Sequence, residues 1–380
     1  MLRNRKAAGI VAIGVAAALA LTGCTKKGGD SSDTTAATTP AAGTTTAATA
    51  PAGSGTGSGG AGSGSAATGE GITKADKNYK IAFVPKLQGI PYFEAMNAGG
   101  EAAAKDMGVT WMYQGPTQAD AAAQADIVRN MIQSKVDALF IAPNDPDSMA
   151  PLIKQGIDAG IKVGTSDTDA PNSARQLMVL MASADGIGRA DTDAIMKAMG
   201  GKGKFAIVSC GETAAQLNAW IDVIKSYTKE KYPDATIVNT VYAGEDVANA
   251  TKMATDLMNA NPDLTGLVGT CSTAGPGIAQ AVTDAGKIGK VFTVGMGTPN
   301  DMKKYLDSGA ASAGVLWDAK SLGYLTVWAG IQMAEGKQFP TQVKLNDDAL
   351  KNVTYDASTK TLLMGDPLTF TKENVGNYNF

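Results

Sequence analysis

From Tyr79 onward, short apolar runs alternate with longer segments in which apolar positions recur every three or four residues. The runs fall at 80–84, 138–142, 162–165 and 177–181, then at 204–209, 236–241, 266–270, 290–295 and 313–316. The periodic segments lie between them, at 93–107, 121–134, 149–159, 188–199, 215–229, 247–260 and 275–285. Strand-like runs joined by amphipathic helices build βαβ units and parallel sheets. Several runs are apolar at successive positions, as strands covered on both faces must be. Two similar series follow one another, one starting near residue 79 and one near residue 201. The pattern predicts an α/β fold of two doubly wound, flavodoxin-like lobes.

Ahead of that pattern the texture changes. Arg3, Arg5 and Lys6 precede an apolar run at 7–21, which ends in Leu21-Thr22-Gly23-Cys24. A charged start, an apolar run shorter than the roughly 20 residues of a spanning helix, and small residues at the break predict a signal peptide over 1–23. A transmembrane anchor is the other reading. Cys24 after Leu-Thr-Gly resembles a bacterial lipobox, which implies a lipidated Cys24 as the first mature residue. Residues 24–77 are almost entirely Thr, Ala, Gly, Ser and Pro. Such a stretch cannot bury a core, and a disordered tether is expected. As a coil of about 50 residues it would span roughly 40 Å. The body is then expected at the extracytoplasmic face of the cell membrane, where nucleotide and nicotinamide cofactors are scarce.

About 300 residues remain, enough for two domains. A net charge of −3 argues against nucleic acid, which wants a basic face. The chain contains no histidine, which removes the commonest general base and metal ligand. No metal and no cofactor is expected. Besides Cys24 only Cys210 and Cys271 remain, too few for a disulfide scaffold.

Open parallel sheets bind ligands beyond the carboxyl ends of their strands. The first series ends its strands in Pro85-Lys86, with Tyr92 and Phe93 shortly after, then in Asn144-Asp145 and in Asp167-Thr168-Asp169. The second series gives Cys210-Gly211-Glu212, Cys271-Ser272-Thr273, Met296-Gly297-Thr298 and Trp317-Asp318. Carboxylates, amides, hydroxyls and aromatics with one lysine suit a polyol. Polar groups meet hydroxyls, and aromatic faces cover the C–H side of a ring.

These stretches carry a resemblance. Ile81-Ala82-Phe83-Val84-Pro85-Lys86, Thr165-Ser166-Asp167-Thr168-Asp169, Asn218-Ala219-Trp220, Gly297-Thr298-Pro299-Asn300, Leu316-Trp317-Asp318 and the segment closing at Phe380 stand in the order of one family. The body resembles the type I periplasmic sugar-binding proteins of ABC importers, the ribose-binding group, and within it the rhamnose-binding and autoinducer-2-binding branch. The resemblance implies two lobes joined by three crossovers, 78–183 with 319–350 and 184–318 with 351–380. It implies ligand contacts from Lys86, Asp167, Asp318, Tyr92 and Phe93, with Asp169 following on the same loop. Asn218 carries the resemblance at the helix that Gln216 and Asn218 open. Gln216-Leu217 stands where the autoinducer-2 binders carry Asp-Gln, and Thr270-Cys271-Ser272 where they carry Pro-Asp-Ala. Two of their contacts would be absent.

The expected ligand-binding set is therefore Lys86, Tyr92, Phe93, Asn144, Asp167, Asp169, Gln216, Asn218, Ser272 and Asp318. Helix capping and turn formation compete with ligand contact at Asn144, Asp169, Gln216 and Asn218. The expected partners are a neutral monosaccharide of rhamnose or pentose type and an ABC permease, met by a monomer whose only membrane contact is its lipid. A receptor module for a sugar or autoinducer-2, signalling to a membrane kinase, is the alternative. Carboxylate pairs also serve glycoside hydrolysis, but no enzyme motif accompanies them. Finally, Cys210 follows the first strand of the second series and Cys271 the third. In the order 2-1-3-4-5 these strands are neighbours, about 4.8 Å apart, within the Cα range of a disulfide. A bond and a pair of buried free thiols both remain open.

Overall fold

The alternation of strand and helix seen in the sequence is realised in a computed structural model that describes residues 68–70, 73–345 and 348–380. The signal segment, Cys24 and most of the expected tether lie outside the described residues. The first series runs β1 (Thr68–Glu70), β2 (Lys80–Val84), α1 (Pro91–Met107), β3 (Thr110–Tyr113), α2 (Ala121–Gln133), β4 (Ala138–Ile141), α3 (Pro146–Asp158), β5 (Lys162–Ser166) and β6 (Met178–Leu180). The second runs α4 (Ala184–Met199), β7 (Gly203–Ser209), α5 (Ala215–Lys231), β8 (Ala235–Tyr242), α6 (Val247–Ala260), β9 (Leu264–Gly269), α7 (Ala274–Asp284), β10 (Phe292–Gly295), α8 (Pro299–Ser308) and β11 (Ala313–Leu316). The chain closes with α9 (Ala319–Ala334), β12 (Gln342–Lys344), β13 (Val353–Asp356), β14 (Thr361–Leu363) and β15 (Leu368–Phe370).

Two sheets form. One has the order β1-β12-β13-β14-β6-β5-β4-β2-β3, the other β15-β11-β10-β9-β7-β8. Five consecutive strands of each, β3-β2-β4-β5-β6 and β8-β7-β9-β10-β11, follow the expected flavodoxin-like order and are parallel. Antiparallel pairs enter only toward one edge, at β12–β13, β13–β14 and β11–β15. The inner strands are buried on both faces. In β2, Ile81 and Phe83 pack on one side, and Ala82 and Val84 on the other against α2 and α3. In β7, Phe205 and Ile207 face a cluster with residues of α4 and α5, while Ala206 and Val208 face the opposite cluster.

Three crossovers join the lobes, between β6 and α4, between β11 and α9, and between β14 and β15. Two expected boundaries shift. Residues 353–363 do not join the second lobe. β13 and β14 hydrogen-bond into the first sheet beside β6, covering an edge that would otherwise be open. The body also begins before residue 78. β1 pairs with β12, Ala75 N–H donates to the Met107 carbonyl at 2.9 Å, and Asp76 N–H donates to the Glu335 carboxylate at 2.9 Å.

Helix α9 returns from the second sheet to pack along α1. The crossing is close because Gly99 and Gly323 lack side chains: a Cβ at Gly99 would overlap the Lys320 carbonyl, and one at Gly323 the Met96 carbonyl. This contact fixes α1, whose first turn carries Tyr92 and Phe93. Among the described residues no helix is long and apolar enough to cross a membrane.

A carboxylate sits inside the core of the second lobe. Asp191 on α4 is fully buried, and neither of its carboxylate oxygens has a hydrogen-bond partner among the described residues. Burial holds its pKa well above the usual carboxylate range. A raised folded pKa gives stability that is complete below the unfolded value, near 4, and lost as pH rises through the folded value. Asp191→Asn is therefore expected to raise the melting temperature at pH 8 by a few degrees, the scale of about 1–3 kcal/mol. The gain should vanish near pH 4, and melting curves shifted equally at both pH values would contradict it.

Candidate functional site

Strand β2 delivers Lys86 just past its carboxyl end. Gln124 of α2 holds this loop to its neighbour, its amide donating to the Pro85 carbonyl at 2.9 Å and the Ala142 carbonyl at 2.7 Å. Asn144 adds a bond from Nδ2 to the Lys86 carbonyl at 2.8 Å. The backbone is thus fixed, and the Lys86 side chain, 7% exposed, projects between the lobes.

Asp167 follows β5 with φ +72°, a left-handed conformation uncommon for a non-glycine residue and frequent where function requires it. Its carboxylate accepts from the Tyr92 hydroxyl at 2.6 Å and the Thr168 hydroxyl at 2.9 Å. The Trp317 indole N–H donates to the same Tyr92 hydroxyl at 3.1 Å. A chain of hydrogen bonds therefore runs from the β11–α9 crossover through α1 to Asp167. Burial, then the Asp167 charge and its hydrogen bond, push the Tyr92 phenol well above its ordinary pKa, so it stays a neutral donor. Its ring meets Trp317 edge-on at 5.7 Å, and Trp317 meets Trp220 of α5 at 5.8 Å.

The second lobe supplies the other wall. Cys210 after β7 and Cys271 after β9 are joined in a disulfide with a Cα separation of 6.0 Å, as the neighbouring strands allow. Ser272 follows, and Glu245 comes from the loop between β8 and α6. Its carboxylate lies 3.9 Å from the Lys86 ammonium, as does that of Asp167. Burial raises the Glu245 pKa, Lys86 opposes the rise, and Asp167 adds to it. Glu245 and the two sulfurs lie within 4.8 Å of one another. Because the sulfurs are bonded, the group presents no thiolate to a metal.

Together these residues line a small cavity, about 30 Å³, between the lobes. Of the expected set, Lys86, Tyr92, Phe93, Asp167 and Ser272 line it. The other five do not. Asn144 faces the mouth of the cleft, where its carbonyl accepts from Thr213 across the lobes at 3.2 Å. Asp169 turns away to Arg175, with a contact of 2.7 Å, and accepts from the Thr165 hydroxyl at 2.7 Å. Asn218 donates to the Glu212 carbonyl at 2.8 Å and holds that loop. Gln216 is half-buried on α5, whose Leu217 and Trp220 take the cavity face instead. Asp318 caps α9, accepting from Ser321 N–H at 2.9 Å.

Glu245, Trp220 and Met296 line the cavity outside the expected set. Glu245 stands three residues beyond the end of β8, the same kind of place after a strand that marks Lys86 and Ser272.

The site lies at the carboxyl ends of parallel strands, between lobes joined by three crossovers, and sequence comparison agrees with that geometry. The chain matches the family model described as periplasmic binding protein domain over residues 81–338. It belongs to the periplasmic binding protein family. It is a binding protein rather than an enzyme. The D-ribose/D-allose-binding protein of Pseudomonas aeruginosa is 26% identical over 245 residues, 62% of this chain and 75% of that protein. A solute-binding protein of Clostridium phytofermentas solved with bound L-rhamnose is 25% identical, with a TM-score of 0.75, covering 80% of this chain and 98% of that one. LsrB from Clostridium saccharobutylicum, solved with AI-2, is also 25% identical, with a TM-score of 0.74, covering 79% and 100%. The rhamnose and autoinducer-2 resemblance is thus matched by solved structures of both kinds.

The Asp169–Arg175 pair holds the loop that presents Asp167. Asp169→Ala and Arg175→Ala should each lower stability by about 2–3 kcal/mol, because either leaves a partly buried charge unpaired. The double variant should be little worse than either single one. Additive losses in thermal melts would show that the pair does not act as a unit.

Proposed function

We propose that this binding protein captures a neutral monosaccharide between its lobes and delivers it to an ABC permease. The observation that carries this is the mixed chemistry of the cavity. Lys86 and Glu245 enter from opposite lobes, each side chain 7% exposed. Neither has a hydrogen bond from its charged group to another described residue, whereas buried charged groups ordinarily do. Beside them stand Phe93, Trp220 and Trp317. Charged groups ready for hydroxyls next to aromatic walls match a sugar, with its polar rim and apolar ring faces. A deoxyhexose or pentose suits the large apolar share of that wall better than a fully hydroxylated hexose. The relatives named for ribose and allose, and the neighbour solved with L-rhamnose, support the same class. The neighbour solved with AI-2 makes that molecule the competing ligand. Gln216-Leu217 and Cys271-Ser272, at the positions where the branch contacts differ, favour the sugar.

Binding proceeds by closure. Lys86, Asp167 and Tyr92 belong to one wall, Glu245 and Ser272 to the other. A ligand touching both walls makes contacts that exist only in the closed state and shifts the population toward it. The permease would then meet both lobes of one monomer. The lipid on Cys24 and the tether behind it would keep the loaded protein beside the membrane.

A thermal-shift panel of pentoses, deoxyhexoses, hexoses, AI-2 and sugar phosphates tests the ligand class. Neutral monosaccharides should raise the melting temperature, pentoses or deoxyhexoses most. A response to anionic compounds alone would overturn the reading. Lys86→Ala should weaken the best sugar about ten- to a hundredfold by calorimetry, the loss of one charged hydrogen bond.

The anchor is tested separately. Cys24→Ser should move the protein from the membrane to the soluble fraction, while a variant that stays on membranes would mean that residues 7–21 are an anchor.

A further inference from the structure

Glu245 is held with unusual care for a loop residue. Ala243 N–H donates to the Ser209 carbonyl at 2.7 Å, and Gly244 N–H to the Cys210 carbonyl at 3.2 Å. Gly244 takes a left-handed φ of +69°, which turns the chain toward the cleft. Asn249 Nδ2 donates back to the Ala243 carbonyl at 2.6 Å, and the next residue, Asp246, caps α6 by accepting from Asn249 N–H at 2.7 Å. The carboxylate then lies against the Cys210–Cys271 disulfide, within 4.8 Å of both sulfurs. It is therefore braced from behind and directed across the cleft at Lys86.

We infer that Glu245 is the second lobe's specificity-determining residue: it clasps Lys86 across the cleft and accepts a hydroxyl of the ligand beside that ammonium. The inference rests on the sugar reading of the site. Its reason is the geometry of the pair. At 3.9 Å the two groups attract but do not hydrogen-bond to each other, and neither charged group hydrogen-bonds to any other described residue. A hydroxyl placed beside both accepts from Lys86 and donates to Glu245, completing both charged groups at once. The cavity also holds Asp167, so one ammonium faces two carboxylates. An anionic ligand would add to that excess, whereas a hydroxyl donor satisfies it.

The groups facing Glu245 are Lys86, Asp167 and Tyr92. With its pKa raised by burial, Glu245 takes up a proton at a higher pH than an ordinary glutamate, and the protonated form is the poorer acceptor. Affinity should accordingly fall on mild acidification, and the step should disappear in Glu245→Gln.

The test combines calorimetry and melting on the folded protein, with L-rhamnose, D-ribose and D-allose as probes. Glu245→Gln should bind the best of the three about ten- to a hundredfold more weakly than wild type at pH 7.5. As the pH is lowered from 7.5, its affinity should change less than that of wild type. Wild-type affinity and pH profile in Glu245→Gln would overturn the inference while leaving the sugar reading intact. If wild type binds none of the probes or the wider sugar panel, the sugar reading falls, and the ligand contact with it. The clasp is decided without ligand. Lys86→Met should lower the melting temperature in the wild-type background and much less in Glu245→Gln, and equal shifts in both backgrounds would overturn it.

Discussion

A charge removed from water has to be met by opposite charge or by hydrogen bonds. Lys86 sits under that constraint at the centre of this molecule, and neither lobe satisfies it alone. Asp167 comes from the first lobe and Glu245 from the second, each at 3.9 Å. With the chain crossovers and the Thr213–Asn144 bond at the mouth of the cleft, this demand draws the lobes together. Closed, they surround the ammonium with carboxylates, and apart, they return it to solvent. The aromatic chain from Trp317 through Tyr92 to Asp167 ties the demand to the hinge, because the indole that anchors it sits at a crossover.

The supports behind these residues are of the ordinary kind. Gln124 and Asn144 use amides to fasten two strand-end loops, Arg175 neutralises Asp169, and two interlocked glycines bring α1 and α9 together. Each acts on backbone or on a neighbour rather than in the cavity. Polar residues at strand ends thus fall into two groups that look alike in sequence. One group points inward, and the other holds the first in place.

That division marks what could be read from the chain. The strands covered on both faces and the amphipathic helices gave themselves away by period, and with them the two lobes and the strand order. That order placed Cys210 and Cys271 side by side, although adjacency alone did not decide the bond. Helix α9 escaped because it is apolar on nearly every side, so no polar stripe sets its period. Edge strand β3 is only partly buried and lacks a continuous apolar run. Strands β12 to β15 are three or four residues long, too short for a pattern. At the site, Lys86, Tyr92, Phe93, Asp167 and Ser272 were legible because position after a strand and side-chain type agree. Asp169, Asn218 and Asp318 have the same type and place, and only their partners in space, Arg175, a backbone carbonyl and a helix N–H, separate them from the inward group.

The route of the chain has a consequence for how such a molecule is made. The first sheet receives β12, β13 and β14, and its core receives α9, only after the chain has passed through α4 to β11 of the second lobe. The second lobe, by contrast, has α4 to β11 in one uninterrupted stretch and waits only for β15. A chain that emerges from its amino end therefore completes most of its later lobe while its earlier one still lacks a central helix. Until α9 arrives, the face of α1 around Gly99 has no cover. The lobe begun first is finished late, and a truncation between residues 319 and 363 removes pieces of the half of the protein that was already in place.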